Sequence, residues 1–149
     1  MINSIKEWFK AAKPNPSIAD ACVQIGCHYE EVSEMSASLY DDVRYALEAT
    51  ALQYKMNHSD YLGVLEELSA DARVELLDAI CDQIVTAVGV AYMMGMDIEG
   101  ALAEVNRSNW SKFEGGVPVF NEQGKIAKGA EYTPPELSDY IITKPVYTH

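Results

Sequence analysis

The chain has 149 residues, 48% of them apolar, with 23 acidic against 11 basic side chains and a formal net charge of −12. That size and composition suit one domain with a real core. The charge argues against a protein that grips a nucleic-acid polymer through its backbone, but not against one that takes a nucleotide together with a metal ion.

No apolar run reaches the length of a membrane span, so no membrane partner is expected. The N-terminal stretch carries charges where an export signal would be apolar. Cys22, Cys27 and Cys81 are odd in number and lack CxxC spacing, which points to reduced, buried thiols in a cytoplasmic protein.

Ile2–Ala12 reads as a short amphipathic helix with Ile5, Trp8 and Phe9 on its apolar side, ended by Pro14 and Pro16. Ser17 caps a second helix over 17–38, in which Ile18, Cys22, Ile25, Val32 and Met35 fall close to helical spacing. Near its end Glu30, Glu31 and Glu34 form an EExxE cluster. Like charges at i+3 and i+4 weaken a helix. A third helix is predicted over 40–56, with acids in its first turn to suit the helix dipole. A loop over 57–60 and a short helical piece over 61–68 follow.

The central stretch is 73–95, opened by Ser69 or Asp71 and closed by Gly95. It is apolar on nearly every side, so the pattern predicts a helix buried in the middle of a bundle. Yet Glu75, Asp78 and Asp82 stand at i, i+3 and i+7, along one stripe. A further helix runs from Asp97 to about Phe113, with Asn106, Asn109 and Lys112 three apart near its end.

Beyond Phe113, paired glycines, a proline and a turn at 121–124 predict a small hairpin or extended arm. The remaining tyrosines and prolines predict a segment that packs on the bundle or on a second subunit. The expected fold is all-α: a bundle of four to five helices over 1–113 and a short C-terminal hairpin or arm over 114–149, taken as one unit.

An isolated EExxE is ordinarily a solvated helix face. The central stripe is harder to set aside, because its neighbours Leu76, Leu77, Ile80, Ile84 and Val85 are apolar and Arg73 is the one basic residue of the helix. Two acidic stripes in a chain poor in bases point to a hard divalent cation, Mg²⁺ or Mn²⁺. Di-iron bundles need a His three residues after a Glu, and no His here stands there. Zinc would want His or Cys at regular spacing, and an EF-hand its alternating acids and central Gly; both are missing. Asn106, Asn109 and Lys112, with Lys125 and Lys128 on the arm, suit phosphate oxygens; the alternative is that Lys112, Lys125 and Lys128 are ordinary exposed lysines.

The order of three motifs carries a resemblance: Glu30-Glu31-Val32-Ser33-Glu34, then Glu75-Leu76-Leu77-Asp78 followed by Asp82, then the Asn106–Asn109–Lys112 segment. In this order, and with the tail GKIAKGAEYTPPEL, the chain resembles the all-α nucleoside triphosphate pyrophosphohydrolases over roughly residues 9–137. That superfamily includes MazG-like proteins, dimeric dUTPases and phosphoribosyl-ATP pyrophosphohydrolases. About forty residues separate the two acidic motifs, more than in compact MazG domains.

The resemblance implies that Glu31, Glu34, Glu75 and Asp78 hold the metal, with Glu30 and Asp82 as candidates to position or deprotonate water. It implies a homodimer or homotetramer with pockets near subunit interfaces. The expected reaction is Mg²⁺-dependent hydrolysis of a nucleoside triphosphate, by analogy dUTP or dCTP, to monophosphate and pyrophosphate. Lys112, with Lys125 or Lys128, would stabilise the leaving pyrophosphate. Phosphoribosyl-ATP is the alternative substrate. A non-catalytic nucleotide-binding or adaptor protein on the same fold is the alternative of another class.

Overall fold

Ser17 opens the second helix as its residues require: its hydroxyl accepts from the Asp20 amide, and the Asp20 carboxylate accepts from the Ser17 amide in return. In the computed structural model, which describes residues 1–142, this is α2 (Ile18–Ser38). It follows α1 (Ile2–Ala12) and precedes α3 (Arg44–Lys55), α4 (Ser59–Glu66), α5 (Ala70–Met93) and α6 (Ile98–Trp110). Two short strands, β1 (Phe113–Glu114) and β2 (Val117–Pro118), pair antiparallel, and a 3₁₀ turn covers Ser138–Tyr140. The fold is all-α, as its composition and periodicity predict, with six helices among the described residues. The end of the predicted tyrosine-rich tail, including Tyr147 and His149, lies outside them.

α3 starts four residues later than predicted, for a local reason. α2 ends with Tyr40 at φ 58; the Tyr40 amide bonds to the Ala37 carbonyl and the Asp41 amide to the Ser36 carbonyl. This left-handed close consumes Tyr40 and Asp41, and the Asp41 carboxylate then accepts from the Val43 amide at 3.1 Å. α5 ends the same way on Gly95, as predicted: Gly95 has φ 67 and the Met96 amide reaches back to the Ala91 carbonyl.

The chain divides into two compact units. One comprises Lys13–Leu68 and Phe120–Ala127, that is α2, α3, α4 and the tip of the arm. Here α2 and α3 run antiparallel: the Cys22 thiol donates to the Tyr54 carbonyl at one end, and the Ser33 hydroxyl to the Arg44 carbonyl at the other. Between these ties lies Gly26, where an added Cβ would stand 2.7 Å from the Ala51 carbonyl oxygen. Only a residue without a side chain lets the two backbones approach so closely. The arm tip is a tight hairpin: Phe120 bridges Ile126, and the Asn121 side chain accepts from the Gln123 and Lys125 amides. The predicted turn at 121–124 is therefore present.

The other unit comprises Met1–Ala12, Ser69–Val119 and the described part of Lys128–His149. Trp8 and Phe113 are buried and share ring contacts with Phe9 and Trp110. The Trp8 indole donates to the Asn109 carbonyl at 2.8 Å, fixing α1 to the end of α6. The extended segment from Thr133 to Ile142 lies along α6: the Ser108 hydroxyl donates to the Thr133 carbonyl, the Asp97 amide bonds to the Tyr140 carbonyl, and Met96 bridges Ile141. This part of the tail packs on its own chain.

α5 departs from the expectation. Every residue from Arg73 to Val88 is exposed, Cys81 included, contrary to the expected burial of its thiol, and Ala91 alone of the helix is buried. Leu77, Ile84 and Val85 are 62%, 49% and 67% exposed. The helix predicted to be buried in a bundle is thus the least covered element of this chain. The periodicity that marks an apolar helix says that it wants covering, not which chain covers it.

Candidate functional site

The polar centre of the α2–α3 unit is Glu30. It lies one helical turn beyond Gly26 on α2, so the close crossing at Gly26 delivers the end of α3 to it. Lys55 Nζ stands 2.6 Å from Glu30 Oε2, and the Lys125 ammonium, carried in on the arm hairpin, donates to the same oxygen. Lys55 is largely covered, Lys125 and Glu30 less so. Partial burial pushes the Glu30 carboxyl up, but the two lysines outweigh it and hold it below its ordinary value. Burial likewise opposes the charge on Lys125, and Glu30 restores it, leaving the ammonium above its ordinary value. The Cys27 thiol beside them is pushed up by burial, against the pull of both lysines. It is a poor nucleophile there.

Next to this triad is an open groove lined by Glu30, Glu48, Ala51, Leu52 and Lys55. Four of these share one face of α3, at i, i+3, i+4 and i+7. Nearby, Tyr29, Tyr54 and Tyr61 form a ladder of rings, 5.7 Å and 4.2 Å between successive centroids.

The other predicted site residues fall as follows. Glu31 and Glu34 are exposed on α2, in the same unit as Glu30. Glu75, Asp78 and Asp82 are exposed on α5, in the other unit. Among the described residues Glu34, Glu75, Asp78 and Asp82 have no basic partner. Also among the described residues, no three carboxylate, imidazole or thiol groups come together as a metal site. Glu34, Glu75, Asp78 and Asp82 are nonetheless of one chemical kind, carboxylates with no basic partner among the described residues, the kind of group that Mg²⁺ takes when waters and phosphates complete its shell.

The Asn/Lys segment is not one polar face. Asn106 is buried and its amide donates to Ser4 Oγ at 2.6 Å, while its Oδ1 has no partner. Asn109 accepts from Lys112 Nζ at 2.7 Å, and that ammonium also faces the Trp8 ring. The Asn106 side chain ties α6 to α1 through Ser4, whereas the Asn109 side chain pairs with Lys112 beyond the end of its own helix and only its backbone carbonyl meets Trp8. Lys128 lies over the Tyr132 ring. Lys125 belongs to the other unit. Sequence reasoning missed Lys55, for want of any signal linking the end of α3 to Glu30; Gly26, four residues before Glu30, was the available hint.

No family model, no curated protein and no solved structure matches this chain. Among the described residues no helix is long and apolar enough to cross a membrane.

Proposed function

We propose that this protein is a Mg²⁺-dependent nucleoside triphosphate pyrophosphohydrolase, releasing pyrophosphate from a nucleotide such as dUTP or dCTP. The observation that carries the reading is the set of carboxylates without basic partners, Glu34 on α2 and Glu75, Asp78 and Asp82 on α5. Like charges at i, i+3 and i, i+4 repel along a helix, and a divalent cation relieves that repulsion.

Glu31 and Glu34 in the α2–α3 unit, and Glu75 and Asp78 in the other, are each proposed as carboxylate donors to Mg²⁺. A bound metal would supply charge neutralisation and acidify a water. Glu30 and Asp82 are the proposed groups to position or deprotonate water; two lysines occupy Glu30, whereas Asp82 has no basic partner among the described residues and is open to a water. Lys125 is the proposed phosphate contact in the α2–α3 unit, and Lys112 and Lys128 in the other. We further propose that the exposed apolar face of α5 is covered by a second copy of the chain, in a homodimer or homotetramer.

The test is pyrophosphate release from a panel of ribo- and deoxynucleoside triphosphates and phosphoribosyl-ATP, with Mg²⁺ and with EDTA. Release that EDTA abolishes, and that Glu31→Gln and Asp78→Asn each reduce at least about a hundredfold, supports the reading. Full activity in both variants overturns the site.

The length of apolar α5 surface favours a second reading, an assembly protein that binds a nucleotide without turning it over. Nucleotide binding with no pyrophosphate release from any member of the panel would select it.

A further inference from the structure

Two lysines from separate segments converge on a single oxygen of Glu30, at the edge of an open groove. Each ammonium carries three donors and gives one to Glu30. Glu30 and Lys55 line the groove together with Glu48, Ala51 and Leu52, and Lys125 reaches it through Glu30. Glu48 and Lys55 are seven residues apart on α3, about 10 Å along the axis. That is near the screening length in physiological salt, so Glu48 weakly opposes an anion at the lysine end. Glu31 also acts on the Lys125 charge, and in EDTA it opposes an entering anion in the wild type and in every variant alike.

We propose that Glu30 is a stand-in for a phosphate oxygen: it holds the Lys55 and Lys125 ammonium groups together at the groove, and the two lysines pass from Glu30 to the phosphates of an entering nucleotide. This deepens the nucleotide reading above and rests on it. It gives Glu30 the role of a positioning residue and adds Lys55 to the phosphate contacts. The geometry fits the role. A carboxylate oxygen and a phosphate oxygen accept the same short, charge-assisted bonds from ammonium groups. Lysine binds phosphate as a point charge on a flexible stem, free to follow the anion. The Gly26 crossing fixes the root of Lys55, and the Asn121 turn fixes that of Lys125, so neither root has to move.

The experiment is calorimetric titration of tripolyphosphate into the whole protein in EDTA, where neither metal binding nor hydrolysis contributes. Glu30→Gln removes the competing charge and frees both lysines, so it should tighten binding about tenfold or more. Lys55→Met and Lys125→Met should each weaken it by a similar factor. A Glu30→Gln protein with an unaltered circular-dichroism melt that binds tripolyphosphate no better, or worse, overturns the proposal; so do Lys55→Met and Lys125→Met proteins that both bind it as tightly as wild type. If Glu30→Gln does not fold, acetylation of the wild-type lysines, mapped by peptide mass spectrometry, decides the matter. Protection of Lys55 and Lys125 by tripolyphosphate supports the proposal, and equal labelling with and without it overturns it. Pyrophosphate release is not read in these experiments, so an enzyme that fails them keeps its activity, and an inactive protein that passes them loses only the enzymatic reading.

Discussion

Glu30 and Asp20 show how far a single carboxylate shapes its surroundings. The Asp20 carboxyl is held at about 2, first by the Lys13 hydrogen bond and then by the Ser17 amide and hydroxyl. A depressed carboxyl contributes stability above its unfolded value, 3.8 for Asp20, and loses it as pH falls toward about 2. Glu30 behaves in the same sense below 4.5, and Lys125, raised above 10.5, loses its contribution only as pH rises through its folded value. Urea midpoints measured from pH 6 to pH 2 should therefore fall. Asp20→Asn should flatten the lowest part of that fall, and an unchanged profile in the variant would contradict the cap. Ser17→Ala should cost about 1 kcal/mol at neutral pH. Tyr40 gives the opposite case. It sits in a left-handed conformation with its side chain 97% exposed, so it meets the backbone strain without packing in return. Tyr40→Gly should stabilise the fold by about 1 kcal/mol, read from the same urea curves.

At the scale of elements, the contact between α2 and α3 decides where charge gathers. Gly26 meets backbone atoms, the Ala51 oxygen at 2.7 Å and the Lys55 nitrogen at 3.0 Å, which cannot swing aside as a side-chain tip would. Gly26→Ala gains about 1 kcal/mol of helix propensity. It should nonetheless lower stability by about 1–3 kcal/mol, because it overpacks the crossing. A variant as stable as wild type in chemical denaturation would mean that the helices cross more loosely. The pairing of Glu30 with Lys55 depends on this crossing and is invisible in the sequence, where the two residues stand far apart. The Asn106–Asn109–Lys112 spacing was visible, but one period of a helix serves packing and binding alike. Tertiary contacts with Ser4 and Trp8 show Asn106 and Asn109 joined to α1.

For the molecule as a whole, α5 is the open question that chemistry answers. A helix of 24 residues, about 36 Å long, exposes Leu77, Ile80, Ile84, Val85 and Val88 beside an acidic stripe. Apolar surface of that extent is rarely left in water. The homo-oligomer proposed above predicts a mass of at least twice 16.5 kDa by light scattering at micromolar concentration. Ile84→Asp, placed in the apolar face, should shift the species toward monomer and lower the melting temperature. Asp78→Asn, on the acidic stripe, should leave the assembly intact while reducing activity. A wild-type monomer in solution would show that the face has some other cover.

By itself the sequence determined what is local. Ser17 with Asp20 and Gly95 with its carbonyl partners mark helix ends through hydrogen bonds within a few residues, so composition and order suffice to read them. Helical periodicity determined the all-α class and the acidic stripes in the same way. The tertiary structure alone decided that Glu30 holds two lysines, that Asn106 is a buried strut and that α5 is uncovered in one chain. These depend on contacts between segments distant in sequence, whose energy comes from burial and close approach, and a pattern of residue types does not say which surfaces will meet.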